Sequence, residues 1–220
     1  MSKKEIVKSL EFFSSLDDKD IDKICTISTL HKYTTGYILH YENQDKDSIE
    51  FLVNGLAKSY KIDKHKNEIF LYHISNDSLL SDINNPSSNT LTTFSNLEMT
   101  EDSVVLKIDY KEFKRQFLDT KVLCSQLMNE VVKRSEVMQN IFNREFIFDA
   151  VTKVAKMIDD DLEMFNKIKR HDISLILNIQ PATLSRVLNR LKRNNIISID
   201  HGKIGIIDNK ELKAIYEEVL

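Results

Sequence analysis

The residues best suited to chemistry lie near the C-terminus, in Gln180-Pro181-Ala182-Thr183-Leu184-Ser185-Arg186-Val187-Leu188-Asn189. Read at helical spacing, Leu184, Val187, Leu188 and Leu191 share one face, while Ala182, Ser185, Arg186 and Asn189 share the other. Three of those four outward residues are polar and the fourth is small, so this face could come close to a base-pair edge. An arginine there carries the forked donors that read guanine in the DNA major groove. Between positions 168 and 203 the basic residues are Lys169, Arg170, Arg186, Arg190, Lys192, Arg193 and Lys203, against Asp172 and Asp200: a net +5 inside a chain of formal net charge -3. That is a local phosphate-binding patch, not a basic coat.

Such a face needs elements that hold it out. Ile173, Ile176 and Leu177 form the inward side of a two-turn helix starting near His171. Asn178 stands where the chain must bend and tolerates left-handed backbone, and Pro181 falls in the first turn of the next helix. Two short helices across a turn of about three residues make a helix-turn-helix whose second helix enters the groove. Segments 197–199 and 204–207 flank His201-Gly202 as a hairpin wing with His201 and Lys203 at its tip. Asp208 with Glu211 then reads as a capping box opening a last helix. The base-contacting set is therefore Arg186, Ser185, Ala182, Pro181 and Asn189. Lys169, Gln180, His201 and Lys203 are set toward the phosphates.

The remainder of the chain supplies a second kind of unit. Hydrophobic residues at 41% and charged residues at 30% are those of a globular protein, and 220 residues allow one or two domains. A helix around Ile21, Ile24 and Cys25, opened by Ser15 with Asp18, precedes short β-rich runs at 31–34, 37–41, 49–53, 56–62, 68–74, 91–94, 97–100 and 104–108. Asn54-Gly55 reads as a two-residue hairpin turn, Gly36 as another tight turn, and 78–89, with Pro86, as a polar loop holding one helical turn. So many short strands predict a small antiparallel barrel or jelly roll. Asp109 caps a following helix, and no Gly or Pro interrupts 123–141. There Cys124, Leu127, Val131, Arg134, Met138 and Ile141 alternate spacings of three and four, the seam of a two-stranded coiled coil and hence of a dimer. Residues 146–164 continue as a separate helical segment.

The run from Lys169 to Leu188 resembles the winged helix of the Crp/Fnr regulators, homodimeric bacterial transcription factors with a cyclic-nucleotide-binding-type β-roll. The resemblance spans almost the whole chain: Gly36 and Gly55 match β-roll turn glycines, and Asn76-Asp77 stands in for a Gly-Asp pair. It implies that Arg186 contacts a guanine, that Ser185 matches a serine of the oxygen- and nitric-oxide-responsive branch, and that Thr183 and Arg170 contact phosphates. One departure is Ala182, where the family commonly has a glutamate reading the opposite strand. The implied fold is α+β: an N-terminal antiparallel β-roll or jelly roll (1–108), a long dimerisation helix (109–144) and a C-terminal winged helix-turn-helix (145–220). The implied partners are double-stranded DNA, a second copy and RNA polymerase.

The sensor's ligand is open. The family's cyclic-nucleotide binders meet the phosphate with an arginine, yet no Lys or Arg stands between Lys66 and Lys107, and that stretch is acidic. Cyclic AMP is therefore not expected. Cys25 and Cys124 are too few for an iron–sulfur cluster. Haem stays possible, with His31, His40, His65, His73 or Met99 as axial candidates, although each taken alone reads first as an ordinary surface or core residue. No metal site, activated nucleophile or paired carboxylate suggests an enzyme. With no apolar N-terminal run and no span-length segment, a cytoplasmic location is expected. The alternative to a DNA-binding regulator is a ligand- or haem-sensing roll whose helix-turn-helix serves protein contacts.

Overall fold

The computed structural model describes residues 2–85 and 87–217, so Pro86 and the last three residues of the expected C-terminal domain lie outside the described residues. The chain forms two compact units, Met1–Val137 and Met138–Leu220.

The first unit opens with α1 (Lys3–Ser9), which the sequence reading did not anticipate, and α2 (Asp18–Thr26). The cap of α2 is Asp17, whose side chain accepts from Asp20 N at 2.8 Å. Ser15, the expected cap, instead accepts from Gln126 Nε2 at 2.6 Å. Ten strands follow: β1 (Ser28–Tyr33), β2 (Ile38–His40), β3 (Asp45–Lys46), β4 (Ser48–Asn54), β5 (Ala57–Ile62), β6 (Glu68–Ile74), β7 (Ser78–Leu79), β8 (Leu91–Thr92), β9 (Asn96–Met99) and β10 (Ser103–Asp109). They form two four-stranded antiparallel sheets, β1-β10-β4-β7 and β2-β9-β5-β6, and a ribbon β3-β8. Leu39, Leu52, Ala57, Ile74, Leu97, Met99 and Val105, drawn from both sheets, close one core between them. Ile49, Phe51, Leu106 and Ile108, on the opposite face of β4 and β10, pack with Phe12, Phe13, Ile21 and Ile24 of the N-terminal segment. Burial on both faces explains why these two strands read as nearly unbroken apolar runs.

The turn expected as a hairpin at Asn54-Gly55 is a corner instead. β4 and β5 belong to different sheets, and Gly55 carries the chain between them at φ +116°. A Cβ there would stand 2.8 Å from the Ser103 Cα, so backbone crowding as well as φ requires glycine. The 78–89 loop holds β7 and no helical turn among its described residues.

Asp109 caps α3 (Tyr110–Phe113), accepting from Glu112 N at 2.8 Å. After a π-helical turn, α4 runs over Cys124–Phe142 as the uninterrupted pattern predicts.

In the second unit, α5 (Ala150–Asp160) and α6 (Leu162–Lys167) replace the single helix expected over 146–164. Asp161 breaks it with a non-helical backbone and caps α6, accepting from Met164 N at 2.8 Å. Then come α7 (Arg170–Ile176), α8 (Pro181–Arg193), the antiparallel pair β11 (Ile197–Asp200) and β12 (Lys203–Ile206), and α9 (Asn209–Glu217). Their core gathers Val154, Ile158, Phe165, Ile173, Leu184, Leu188, Ile197, Ile204 and Leu212. Asp208 Oδ1 accepts from Glu211 N at 3.0 Å, but Asp208 N bonds to Ile196 O at 3.1 Å, so only half of the expected capping box forms. Among the described residues no helix is long and apolar enough to cross a membrane.

Candidate nucleic-acid interface

The bend between α7 and α8 is set by local chemistry. Asn178 takes φ 49°, the left-handed conformation that its short amide side chain tolerates. Ile179 N bonds to Ser174 O at 3.0 Å, and Gln180 O receives Thr183 N and Leu184 N at 2.8 and 3.0 Å, starting the next helix. Pro181 occupies the first turn, where its missing N–H costs nothing.

Side chains from the start of the second unit support this bend. Lys153 is buried, and its Nζ donates to Leu177 O at 3.2 Å, satisfying a carbonyl at the end of α7. Asn178 Nδ2 donates to Glu145 Oε2 at 3.1 Å, and Arg144 Nε donates to the other carboxylate oxygen at 2.9 Å. Burial would push the Glu145 carboxyl up, but its hydrogen bonds from Arg144 and Asn178 and the charges of Arg144 and Lys153 hold it below the usual range. Glu145, Lys153 and the role of the Asn178 amide left no sequence signal, because their spacing reflects tertiary rather than local order. Of the expected inward residues of α7, Ile173 and Leu177 are buried and Ile176 is half-buried; Ser174 is buried beside them, donating to His171 O at 2.6 Å.

On α8, Leu184, Val187, Leu188 and Leu191 are buried, while Pro181, Ala182, Ser185, Arg186 and Asn189 are exposed. The expected base-reading residues thus stand together on one solvent face. Arg186 lies along its helix, with Nη2 donating to Thr183 Oγ1 at 3.2 Å and Nε to Ala182 O at 3.4 Å. Lys169, Gln180, His201 and Lys203 are exposed, and Thr183 is half-buried. The wing turn has His201 at φ 46° and Gly202 at φ 81°, the two positive angles of the tight turn that suits the twist of a hairpin. His201 Nδ1 pairs with the neighbouring Asp200 at 2.8 Å, with both side chains exposed. Arg170 alone turns inward: its guanidinium sits 4.9 Å from the Phe165 ring centroid and donates to Gly202 O at 2.7 Å, and burial pushes its pKa down.

Residues 155–215, which hold this bend, α8 and the wing, match the family model of the Crp-like helix-turn-helix domain. Residues 155–215 form a Crp-like helix-turn-helix domain. Among solved structures, a CooA double mutant from Carboxydothermus hydrogenoformans matches with a TM-score of 0.73 at 15% identity, over 93% of this chain and 94% of that one. A protein assigned to the Crp/Fnr family from Eubacterium rectale matches with a TM-score of 0.68 at 18% identity, over 94% of this chain and 98% of that one. FixK2 from Bradyrhizobium japonicum matches with a TM-score of 0.65 at 14% identity, over 86% and 98%. The chain therefore shares the fold of these structures over 86–94% of its length. Comparison with curated protein sequences gave no match.

Ahead of the Crp-like domain, the roll holds a buried polar cluster beside its apolar core. Glu50 and His40 are buried and hydrogen-bonded to each other, and Glu50 also accepts from Lys107 Nζ at 2.8 Å and Ser48 Oγ at 3.2 Å. Burial would raise the Glu50 carboxyl, but the hydrogen bonds and charges of His40 and Lys107 outweigh it and hold the pKa at about 2. Met99 is fully buried in the core and the His73 ring packs 4.8 Å from Phe70, so, with His40 on Glu50, three of the five axial candidates are committed to packing. His31 and His65 are exposed. Among the described residues no group of three or more His, Cys, Asp or Glu side chains could hold a metal ion.

The 67–106 stretch, empty of Lys and Arg in sequence, is met by Lys58 of β5, paired with Glu68 at 2.8 Å and Glu98 at 3.3 Å, and by an arginine of α4. Arg134 Nη2 donates to Leu79 O at 2.7 Å, Nη1 to Tyr72 Oη, and Asp82 lies 3.8 Å away. Of the expected seam, Cys124, Val131 and Met138 are exposed, whereas Leu127, Arg134 and Ile141 are half-buried within the chain. Met128 and Phe142 are exposed beside them, so that 124, 128, 131, 135, 138 and 142 form the outward line.

Proposed function

We propose that this chain is a sequence-specific DNA-binding transcriptional regulator of the Crp/Fnr type that acts as a homodimer. The observation that carries the reading is the exposed face of α8. Ser185, Arg186 and Asn189 project from a helix whose other side is anchored by four buried residues, and the small Ala182 leaves room for a base pair. Arg186 is the base reader, with Ser185, Ala182, Pro181 and Asn189 around it; Lys169, Gln180, Thr183, His201 and Lys203 meet the backbone. Ala182 offers no hydrogen-bond acceptor, so selectivity at its base pair comes from a thymine methyl or from DNA shape.

The outward line of α4 supports a dimer. Met128, Val131, Met138 and Phe142 are each more than 40% exposed on a helix with no fully buried residue. Their 3–4 spacing suits a parallel pair of helices, which would give two recognition helices a two-fold relation and a palindromic operator. RNA polymerase is the further partner such a regulator requires. Cyclic AMP does not suit the roll: of the cations brought to its acidic stretch, Lys58 is paired with Glu68 and Glu98 and the Arg134 guanidinium is hydrogen-bonded to Leu79 O and Tyr72. Selection of bound duplexes from a random pool tests the reading. Recovery of an inverted repeat supports it, and recovery of no enriched sequence counts against it.

A further inference from the structure

The wing is fastened from below by two side chains. Asn166 on α6 grips Ile204 of β12 with both ends of its amide: Nδ2 donates to Ile204 O at 2.8 Å, and Oδ1 accepts from Ile204 N at 2.7 Å. Arg170 donates through Nη2 to Gly202 O at the turn, 2.7 Å away. Its guanidinium lies over the Phe165 ring, and Nη1 is buried with no hydrogen-bond partner among the described residues. A phosphate clamp needs a guanidinium with a pair of N–H groups free to face outward. Here one terminal nitrogen is spent on the wing and the other is sealed.

The wing has reason to need fastening. Its strands are four residues each, too short to be stable unpacked; Ile197 and Ile204 bury one face in the core, and the turn beyond them is held by side chains from outside the ribbon. The side chains of Lys203 and His201, at its tip, are exposed, and among the described residues the Asp200 pair is the one side-chain polar contact that either makes.

We propose that Asn166 and Arg170 are positioning residues for DNA binding: they hold the wing so that Lys203 and His201 meet the backbone, and Arg170 is not itself a phosphate contact. The proposal rests on the DNA-binding reading above and assigns Arg170 a role other than the one its family resemblance implies.

The test uses the full-length protein, the selected duplex, and affinity measured against salt. Each phosphate contact contributes about 0.9 to the log–log slope. Lys203→Ala should lower the slope by about one contact. Asn166 carries no charge, so Asn166→Ala can lower the slope only by releasing the wing. The expected result is a similar loss in Asn166→Ala and in Arg170→Ala, with Lys203→Ala adding little in either background. An unchanged slope in Asn166→Ala, or additive losses for Arg170→Ala and Lys203→Ala, overturns it. Amide exchange without DNA gives an independent readout. Both variants should speed exchange at Gly205 tenfold or more while Leu188 and Leu191 stay protected. Unchanged wing exchange refutes the fastening whatever the DNA result. A shallow slope in the unaltered protein would refute the DNA-binding reading instead, leaving the exchange data to decide the fastening.

Discussion

Arg186 is tied to Thr183 one turn back on the same helix, Nη2 donating to Thr183 Oγ1 at 3.2 Å. The guanidinium that would read a base is therefore stored along α8, on the solvent side, by bonds to a hydroxyl and a carbonyl. Releasing it costs little, since an exposed hydrogen bond nets about 1 kcal/mol, while a bidentate contact with guanine is worth about 1–3 kcal/mol. On that balance the exchange would favour the DNA, and the Thr183 hydroxyl, which only accepts from Arg186, keeps its own hydrogen to donate to a phosphate.

The buried Lys153 should matter to the reading head although it lies outside it. Replacing it with methionine relieves the burial of a charge but leaves Leu177 O without its donor and Glu145 without a nearby cation. We expect Lys153→Met to destabilise the C-terminal unit by about 1–3 kcal/mol in denaturant titration, with the N-terminal unit unaffected. An unchanged midpoint would mean that the carbonyl finds water.

The outward line of α4 predicts assembly. Val131→Asp places a charge at its centre, next to the exposed Met128, and should convert a dimer into a monomer by sedimentation. Arg134→Ala should leave the mass unchanged, because Arg134 is engaged with Tyr72 and Leu79 of its own chain. A mass insensitive to Val131→Asp would remove α4 from the interface.

The N-terminal unit should weaken in acid in two windows. Burial, aided by the Lys58 charge, lowers the His73 pKa from 6.5 to about 4. Unfolding lets that ring take up a proton that the folded state refuses, so stability falls as pH drops from 6.5 through about 4. Glu50, held at about 2, adds a second loss as pH falls from 4.5 toward 2, when its carboxylate is protonated and its bonds to His40 and Lys107 weaken. Thermal unfolding against pH should show His73→Gln flattening the upper window alone. A variant with the unaltered protein's full dependence would assign the upper window to another group.

Local order was legible in the sequence, and tertiary placement was not. The spacing of Leu184, Val187, Leu188 and Leu191, the bend at Asn178 and the start at Pro181 all appear where read, because each depends on residues within one or two turns. Gly55 was recognised as a turn but not as a corner between sheets, since what decides that is its approach to Ser103, distant in sequence. Arg134 fits a heptad by spacing, yet its length and charge carry it to the Leu79 carbonyl, which periodicity cannot register. The bonds of Asn166 and Arg170 to the wing escaped for the same reason, although Arg170 is itself read as a phosphate contact: their partners, Ile204 and Gly202, lie more than 30 positions away.

The most direct test of the account is the affinity of the unaltered protein and of Arg186→Ala for the selected duplex and for a random one, each titrated with salt. The account predicts a steep log–log fall in affinity for the unaltered protein on both duplexes. It further predicts that Arg186→Ala loses about 1–3 kcal/mol on the selected duplex only and tolerates any base pair at one position. Equal loss on both duplexes would reduce Arg186 to a phosphate contact, and affinity indifferent to salt would contradict DNA binding itself.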